Sequence, residues 1–319
     1  MNNKICPSCG VRDCIRKGMQ GNHQRWQCRR CRKKFQANGK APPDPEELFC
    51  LYTFNKQTLV ELAQAYHIKT KTVQQMIDEV TLPAKEHRPR EISLVVDTTF
   101  IGDIGMMVFR DARKKENLWW MFVEREYAHD YAYGRRVLED LGYTITSVTA
   151  DGPPGLPAVF SDILFQFCHF HAKKSVTKYL TRKPSTDAGI ELRRLMNRIR
   201  YYQYQSFYAA MRAWAEKHRS FLAERTYHPS GRWSYTHKRL RSALNSMMRM
   251  APYLFTYQRT KLFIPTTTNT LEGHFRHLKV RINAHSGLSD QRKRKLISII
   301  LLNSTTKYTK NMHKRLFRS

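Results

Sequence analysis

The chain has 319 residues, 41% of them hydrophobic, enough for a buried core and for about two domains. Lys and Arg number 56 against 26 Asp and Glu, a formal charge of +30; a surface that positive repels itself and calls for a polyanion. No run approaches the roughly 18 consecutive apolar residues of a membrane-spanning helix, and the first residues, Met1-Asn-Asn-Lys-Ile-Cys-Pro, lack the apolar core of a secretory signal. No basic amphipathic helix with a strong apolar face stands out. The expectation is a soluble cytoplasmic chain, nucleoid-associated in a prokaryote, with nucleic acid and no membrane as its partner.

Of seven cysteines, Cys6, Cys9, Cys14, Cys28 and Cys31 lie near the N-terminus, while Cys50 and Cys168 stand apart. An odd number in an intracellular chain argues against a disulfide framework and for metal ligation. Cys6-Pro-Ser-Cys9 and Cys28-Arg-Arg-Cys31 have knuckle spacing, each turn presenting two thiolates to one side of a tetrahedron. Residues 1–40 therefore read as a zinc ribbon with one structural Zn²⁺ on Cys6, Cys9, Cys28 and Cys31. Cys14 and His23 stay open as alternatives, either able to displace one of the four. So small a piece has too little core to fold alone, and the ion would supply much of its stability. Between Arg25 and Lys34, basic residues crowd around Trp26, which suits a phosphate backbone as well as a charged solvent face.

Ala41-Pro-Pro-Asp-Pro breaks the chain and leads into a helix. Residues 41–88 read as a helix-turn-helix: Thr58–Tyr66, a short His67-Ile-Lys turn, then Thr70–Glu79, with Thr58 and Thr70 as N-caps. The second helix would enter the major groove with Thr70, Lys71, Gln74 and Gln75 as contacts. The competing reading is a plain helical hairpin packed on its neighbour.

From residue 91 the texture turns to strands: Glu91–Phe100, Met106–Phe109 and Leu118–Val123. A helix follows over Tyr131–Leu141, then a strand over Thr144–Ala150 ending on Asp151-Gly152, and another over Ile163–Phe167. Three antiparallel strands, a helix, a strand, a helix and a strand is the order of an RNase H-like core, whose first and fourth strands lie side by side. Asp97 and Asp151 would then meet. Two buried, adjacent aspartates repel each other and make sense chiefly around divalent cations. A third ligand is sought in the helix opening near Asn269, where Leu271, Phe275, Leu278 and Ile282 form a buried stripe. Glu272, Arg276 and Lys279 share the neighbouring face at i, i+4 and i+7, so Glu272 could reach the cations while Arg276 and Lys279 hold phosphates. The alternative is an intrahelical Glu272–Arg276 pair on a solvated face.

Four passages carry a resemblance: Val95-Val-Asp97-Thr-Thr, Thr149-Ala-Asp151-Gly, Cys168-His-Phe-His171, and Thr268-Asn-Thr-Leu-Glu272-Gly-His-Phe-Arg-His-Leu-Lys. Together they resemble the Mutator-like superfamily of DDE transposases, in its bacterial insertion-sequence branch, over roughly residues 91–300; the last passage is the most specific. The family carries a Cys-x-x-His motif after its second aspartate, matched by Cys168 and His171. The resemblance implies a transposase that excises and inserts a mobile element, using two Mg²⁺ or Mn²⁺ ions on Asp97, Asp151 and Glu272. The RNase H-like α/β core would occupy residues 89–171, an all-helical insertion 172–264, and core helices with a basic tail 265–319. The partner would be double-stranded DNA, both element ends and target, and holding two ends together calls for a homodimer or larger assembly.

Cys168 and His171 are too few for a zinc site of their own; structural hydrogen bonding and DNA positioning both stay open. Residues 172–264 hold only four carboxylates, Asp187, Glu191, Glu216 and Glu224, among many basic and aromatic residues. Basic groups with aromatics can hold backbone and stack unpaired bases, although most of the aromatics should pack between helices. Residues 287–302 read as a basic start to an apolar helix packed on the core, followed by a basic tail, disordered or phosphate-bound, through Arg318. The competing functions are a nuclease of the same fold that cuts without joining, and a non-catalytic DNA-binding regulator. A tyrosine recombinase lacks its Arg-His-Arg constellation here.

Overall fold

The computed structural model describes residues 4–21, 23–36, 43–152, 155–304 and 317. The first two linker residues, Ala41 and Pro42, and the basic tail after Ser304 lie outside the described residues but for Phe317. The chain divides into two compact units, one running to Leu82 and the other starting at Pro83.

In the first unit, β1 (Cys14–Gln20), β2 (His23–Cys28) and β3 (Lys34–Gln36) form an antiparallel sheet in that order. Among the described residues its buried cluster is Cys6, Cys14, Trp26 and Cys28, with Phe35 against them. Three helices follow. α1 (Pro45–Asn55) starts cleanly because Asp44 accepts the Glu46 N–H, Pro45 presets the first turn, and Glu46 and Glu47 face the positive end of the helix dipole. α2 (Leu59–Tyr66) opens on a capping box between Thr58 and Glu61. α3 (Thr70–Glu79) begins one residue earlier than expected, with Lys69 at the cap and Thr70 already helical. The left-handed His67 (φ 55°) closes α2 and turns the chain sharply enough for this early start. Leu62 and Ala63 of α2 and Val73 and Ile77 of α3 are buried, as are Leu48, Phe49 and Cys50 of α1.

The second unit is built on a mixed five-stranded sheet in the order β6-β5-β4-β7-β8. Its strands are β4 (Glu91–Ile101), β5 (Ile104–Asp111), β6 (Glu116–Val123), β7 (Thr144–Ala150) and β8 (Leu164–Phe167). β4, β5 and β6 pair antiparallel; β7 runs parallel to β4, and β8 parallel to β7. The register sets Val96 opposite Ala150, so Asp97 within β4 and Asp151 just past β7 stand at the same level. α4 (Ala128–Asp140) lies on the sheet through Gly134, where a Cβ would come within 2.1 Å of the Phe109 ring. The short α5 (Leu156–Val159) precedes β8.

Six helices complete this unit: α6 (His169–Leu180), α7 (Asp187–Asn197), α8 (Tyr204–Lys217), α9 (Arg219–Ala223), α10 (Lys238–Leu254) and, after the return to the sheet, α11 (Asn269–Ile282), with α12 (Asp290–Leu302) as a seventh closing the fold. Residues 172–264 are not all helical. Arg225–Tyr227 (β9) and Trp233–Tyr235 (β10) pair antiparallel around a Pro-Ser-Gly turn whose Gly231 takes φ 74°. The β-branched and aromatic residues flanking that turn favour a hairpin over continued helix. This segment has its own core, in which Leu192, Met196, Phe207, Met211, Met247 and Phe255 are buried. Trp214 belongs there too, its Nε1 donating to the Ala188 carbonyl at 3.1 Å.

The chain returns to the sheet through polar ties: Gln166 Nε2 donates to Leu254 O at 2.9 Å and Thr256 Oγ1 to Phe165 O at 2.6 Å. α11 and α12 then dock through a buried cluster. Asn117 of β6 donates to Leu301 O (3.0 Å) and lies 3.3 Å from His274 Nε2, while Arg110 donates to Asn117 Oδ1 at 2.5 Å. Burial, with Arg110 and Arg281 nearby, lowers His274 to about 4, so it is a neutral acceptor at pH 7. Leu271, Phe275, Leu278 and Ile282 are all buried on α11, and Leu296, Ile297, Ile300 and Leu301 on α12. Among the described residues, no helix is long and apolar enough to cross a membrane.

Candidate active site and metal centres

The ribbon cysteines converge. One sulfur from each of Cys6, Cys9, Cys28 and Cys31 lies within 4.8 Å of the others, with Cys6–Cys31 and Cys9–Cys28 each 3.5 Å apart. A tetrahedron with Zn–S bonds of about 2.3 Å has edges of about 3.8 Å, so the four thiols are set for one zinc ion. Their electrostatics agree with that fit. The Cys31 N–H draws Cys28 down to about 6; against the Val11 N–H, burial and the three neighbouring thiols push Cys9 up to about 12. Four such thiols ionise together only around a cation. Cys14 lies outside the set, its Sγ directed at Val11 O (3.9 Å), and His23 opens β2 on the exposed side. On α3, Thr70, Lys71 and Gln75 are exposed and Gln74 is half-buried.

In the second unit, Asp97, Asp151 and His171 bring one ligand atom each within 4.8 Å of one another. Asp97 is buried near the middle of β4, where it accepts the Thr98 N–H (3.0 Å). Asp151 follows β7. His171 stands in the first turn of α6, its Nδ1 3.3 Å from Asp151 Oδ2 but off the hydrogen-bonding direction, which leaves that buried nitrogen without a hydrogen-bond partner among the described residues. Glu272 is in the first turn of α11. It is outside this tight trio but close enough to act electrostatically on Asp97, Asp151 and His171. Glu272 and Arg276 form no ion pair among the described residues. Arg276 is exposed and Lys279 half-buried on the same helix.

Burial, then Asp151, Glu272 and Glu126, raises Asp97 well above the usual carboxylate range, although the Thr98 N–H opposes it. Burial also raises Asp151, to about 6, with Lys174 pulling the other way. Burial lowers His171, keeping it neutral at pH 7. Carboxylates crowded this closely, beside an orphaned imidazole nitrogen, are a donor set for hard divalent cations. The residues present therefore fit Mg²⁺ or Mn²⁺, and the nitrogen favours Mn²⁺.

Two parts of this site escaped sequence reasoning. Glu126, in the β6–α4 connection, is raised by burial, and its Oε1 accepts a hydrogen bond from the Tyr131 hydroxyl. The same hydroxyl lies 3.0 Å from Asp151 O, so fully buried Tyr131 links Glu126 to the backbone of the second aspartate. Gly152 takes φ 149°, and a Cβ there would meet the Tyr131 hydroxyl at 3.0 Å. Nothing in the run Glu124-Arg-Glu126 marks it as a site. Glu126→Gln is expected to weaken Mn²⁺ binding about tenfold in titration calorimetry; unchanged affinity would remove Glu126 from the metal's surroundings.

The second part is the set of partners of Cys168, for which structural hydrogen bonding is one of the two roles the sequence leaves open. Its N–H donates to Ala150 O (3.0 Å), while its Sγ accepts the Thr268 N–H (3.4 Å). Ala150 precedes Asp151, and Thr268 is the N-cap of the helix carrying Glu272. His169 N–H to Thr266 O (2.8 Å) and Thr149 Oγ1 to Pro265 O (2.6 Å) reinforce the seam. Cys168 thus positions three elements, and His171 faces the carboxylates. Compared with known families and curated proteins, the chain matches no protein-family model and no curated protein.

Proposed function

We propose that this protein is a DDE-type DNA transposase, an RNase H-like enzyme that cuts at the ends of an insertion sequence and joins them to target DNA. The observation that carries the reading is the meeting of Asp97 and Asp151 on adjacent parallel strands, with Glu272 brought beside them from beyond the insertion. Asp97, Asp151 and Glu272 would hold two Mg²⁺ or Mn²⁺ ions, with His171 Nδ1 as a further donor. Ions so held supply an activated water or 3′-hydroxyl and stabilisation of the leaving oxygen. The chain's own part is to hold these oxygens at fixed spacing before DNA arrives, through Cys168, Tyr131 and the β4–β7 register. Lys174, which acts electrostatically on Asp151, would offset phosphate charge at the same place, with Arg276 and Lys279 gripping backbone further along α11.

In this reading the N-terminal unit selects the DNA. A zinc ion would hold the ribbon, and α3 would enter the major groove through Thr70, Lys71 and Gln75, with half-buried Gln74 at the margin. Two element ends held together require a homodimer or larger assembly on DNA.

The test is strand transfer with element-end DNA, a supercoiled target and Mn²⁺, comparing the native protein with Glu272→Ala. Joined products are expected from the native protein, falling by on the order of a thousandfold in the variant. Equal activity in the variant would shift the third-ligand role to Glu126. Cutting without joining would make the protein a nuclease, and tight binding without nicking would make it a regulator.

A further inference from the structure

α6 leads away from the carboxylates along a line of cations. His171, in its first turn, faces Asp151. Lys174 and Lys178 follow at i+3 and i+7, both exposed, and Arg182 and Lys183 lie just past the helix end. There a groove of about 420 Å³ opens against α7. Arg182, Lys183, Arg193, Arg194 and Arg198 line it, over an apolar floor of Pro184 and Ile190.

Nothing described neutralises this groove. No carboxylate lines it, none of the five cations has an ion-pair partner among the described residues, and the Arg193 Nε is buried without a hydrogen-bond partner. Three of the insertion's four carboxylates are paired with other cations: Glu191, on the wall of the adjoining pocket, with Lys217 and His218, Glu216 with Arg219, and Glu224 with His237. A second pocket of about 380 Å³ shares Arg194 and Arg198 and continues the groove past Leu195 and Tyr202.

The spacing suits a nucleic-acid strand. The 12 residues of α6 span about 18 Å at 1.5 Å each, or roughly five steps of duplex at 3.4 Å. Lys174 and Lys178 stand about 6 Å apart along the helix axis, close to two such steps. We infer that this face of α6 and the α7 groove form one track for a DNA phosphodiester backbone. The track holds the strand flanking the scissile phosphate, with sugars over Pro184 and Ile190. Its placement relative to the cut rests on the strand-transfer reading; its affinity for DNA does not. A line of cations running to a carboxylate cluster fits a linear polyanion better than an anionic bilayer, which would need a broad apolar face beside the charges.

The experiment compares two triple variants of the full chain. Lys178→Ala/Arg182→Ala/Arg198→Ala removes charge from the track, and Arg212→Ala/Arg232→Ala/Lys238→Ala removes the same charge from exposed positions outside it. Affinity for a duplex of arbitrary sequence is measured across salt concentrations. Each lost phosphate contact lowers the logarithmic salt slope by about 0.9, so the track variant is expected to flatten it by roughly two to three units, and the other variant by less than one. Arg198→Ala alone is expected to flatten it by about one unit and, being a single exposed change, to keep the native melting temperature. Equal flattening by both triples, an unchanged slope in the track variant, or no DNA binding by the native protein would overturn the track. So would loss of binding to phosphatidylserine vesicles with the DNA slope intact, which would assign the groove to a membrane. Metal-dependent nicking by the native protein alongside an unchanged track slope sinks the track alone. A flattened slope with no nicking sinks the strand-transfer reading and leaves the track standing.

Discussion

On the proposed function, Asp97→Asn is expected to abolish strand transfer; without divalent cation at pH 7.5 it is also expected to make the protein more stable. Both effects come from one fact: Asp97 is buried, accepts a hydrogen bond from the Thr98 N–H, and shares its surroundings with Asp151, Glu272 and Glu126. Asn keeps the volume and can keep the bond from Thr98 while removing a charge. Asp97 and Asp151 both have folded pKa values above their unfolded ones, so the native state binds these protons more tightly. Stability therefore falls as pH rises from about 4 through the folded values, which for Asp151 is about 6. At pH 7.5 the penalty from Asp151 alone is on the order of 2–3 kcal/mol, and relieving part of such crowding is worth several degrees of Tm. The gain should vanish near pH 4, where native and variant sites are both protonated. Mn²⁺ should raise the melting temperature of the native protein at pH 7.5 and do far less for Asp97→Asn. A variant no more stable than the native protein in chelator at pH 7.5 would contradict the crowding, and retained strand transfer would remove Asp97 from catalysis.

The second large effect concerns the ribbon. Stripping metal with a strong chelator, or Cys28→Ser, is expected to unfold residues 4–36 while the five-stranded sheet stays intact. The ribbon's buried cluster holds four residues, two of them among the four convergent thiols, so little apolar burial remains to hold three strands together. A structural zinc ion contributes an apparent 10–16 kcal/mol, roughly, to domains of this size. Metal analysis should find one zinc per chain in the native protein and none in Cys28→Ser. Proteolysis should then cut after Arg16 and Arg25, which β1 and β2 hold in the folded ribbon. Cys14→Ala should keep its zinc, because that sulfur, directed at Val11 O, is not one of the four that converge. Zinc lost from Cys14→Ala and kept by Cys28→Ser would mean a different ligand set.

What could be read from the sequence was whatever neighbouring residues encode. Knuckle spacing brought two pairs of thiols to notice, because a turn of four residues sets the direction of its sulfurs. Strand-forming runs around Asp97 and before Asp151, with the order of elements between them, made those strands neighbours, as their parallel pairing has them. The apolar stripe of α11 gave its buried face and, by exclusion, the face of Glu272.

Other features had no local signature. Glu126 belongs to the carboxylate cluster because of where the β6–α4 connection lands and because Tyr131 reaches both it and Asp151 O. Cys168 reads as one half of a short motif, yet its contact is Thr268, 100 residues away. The β9–β10 hairpin was hidden in a segment whose composition favours helix, since a three-residue strand leaves too short a pattern to detect. The cationic groove exists only because the end of α6 and one face of α7 pack side by side. Helices, strands and knuckles follow from interactions among residues a few positions apart; these sites join residues far apart in the chain, whose meeting depends on how the cores pack.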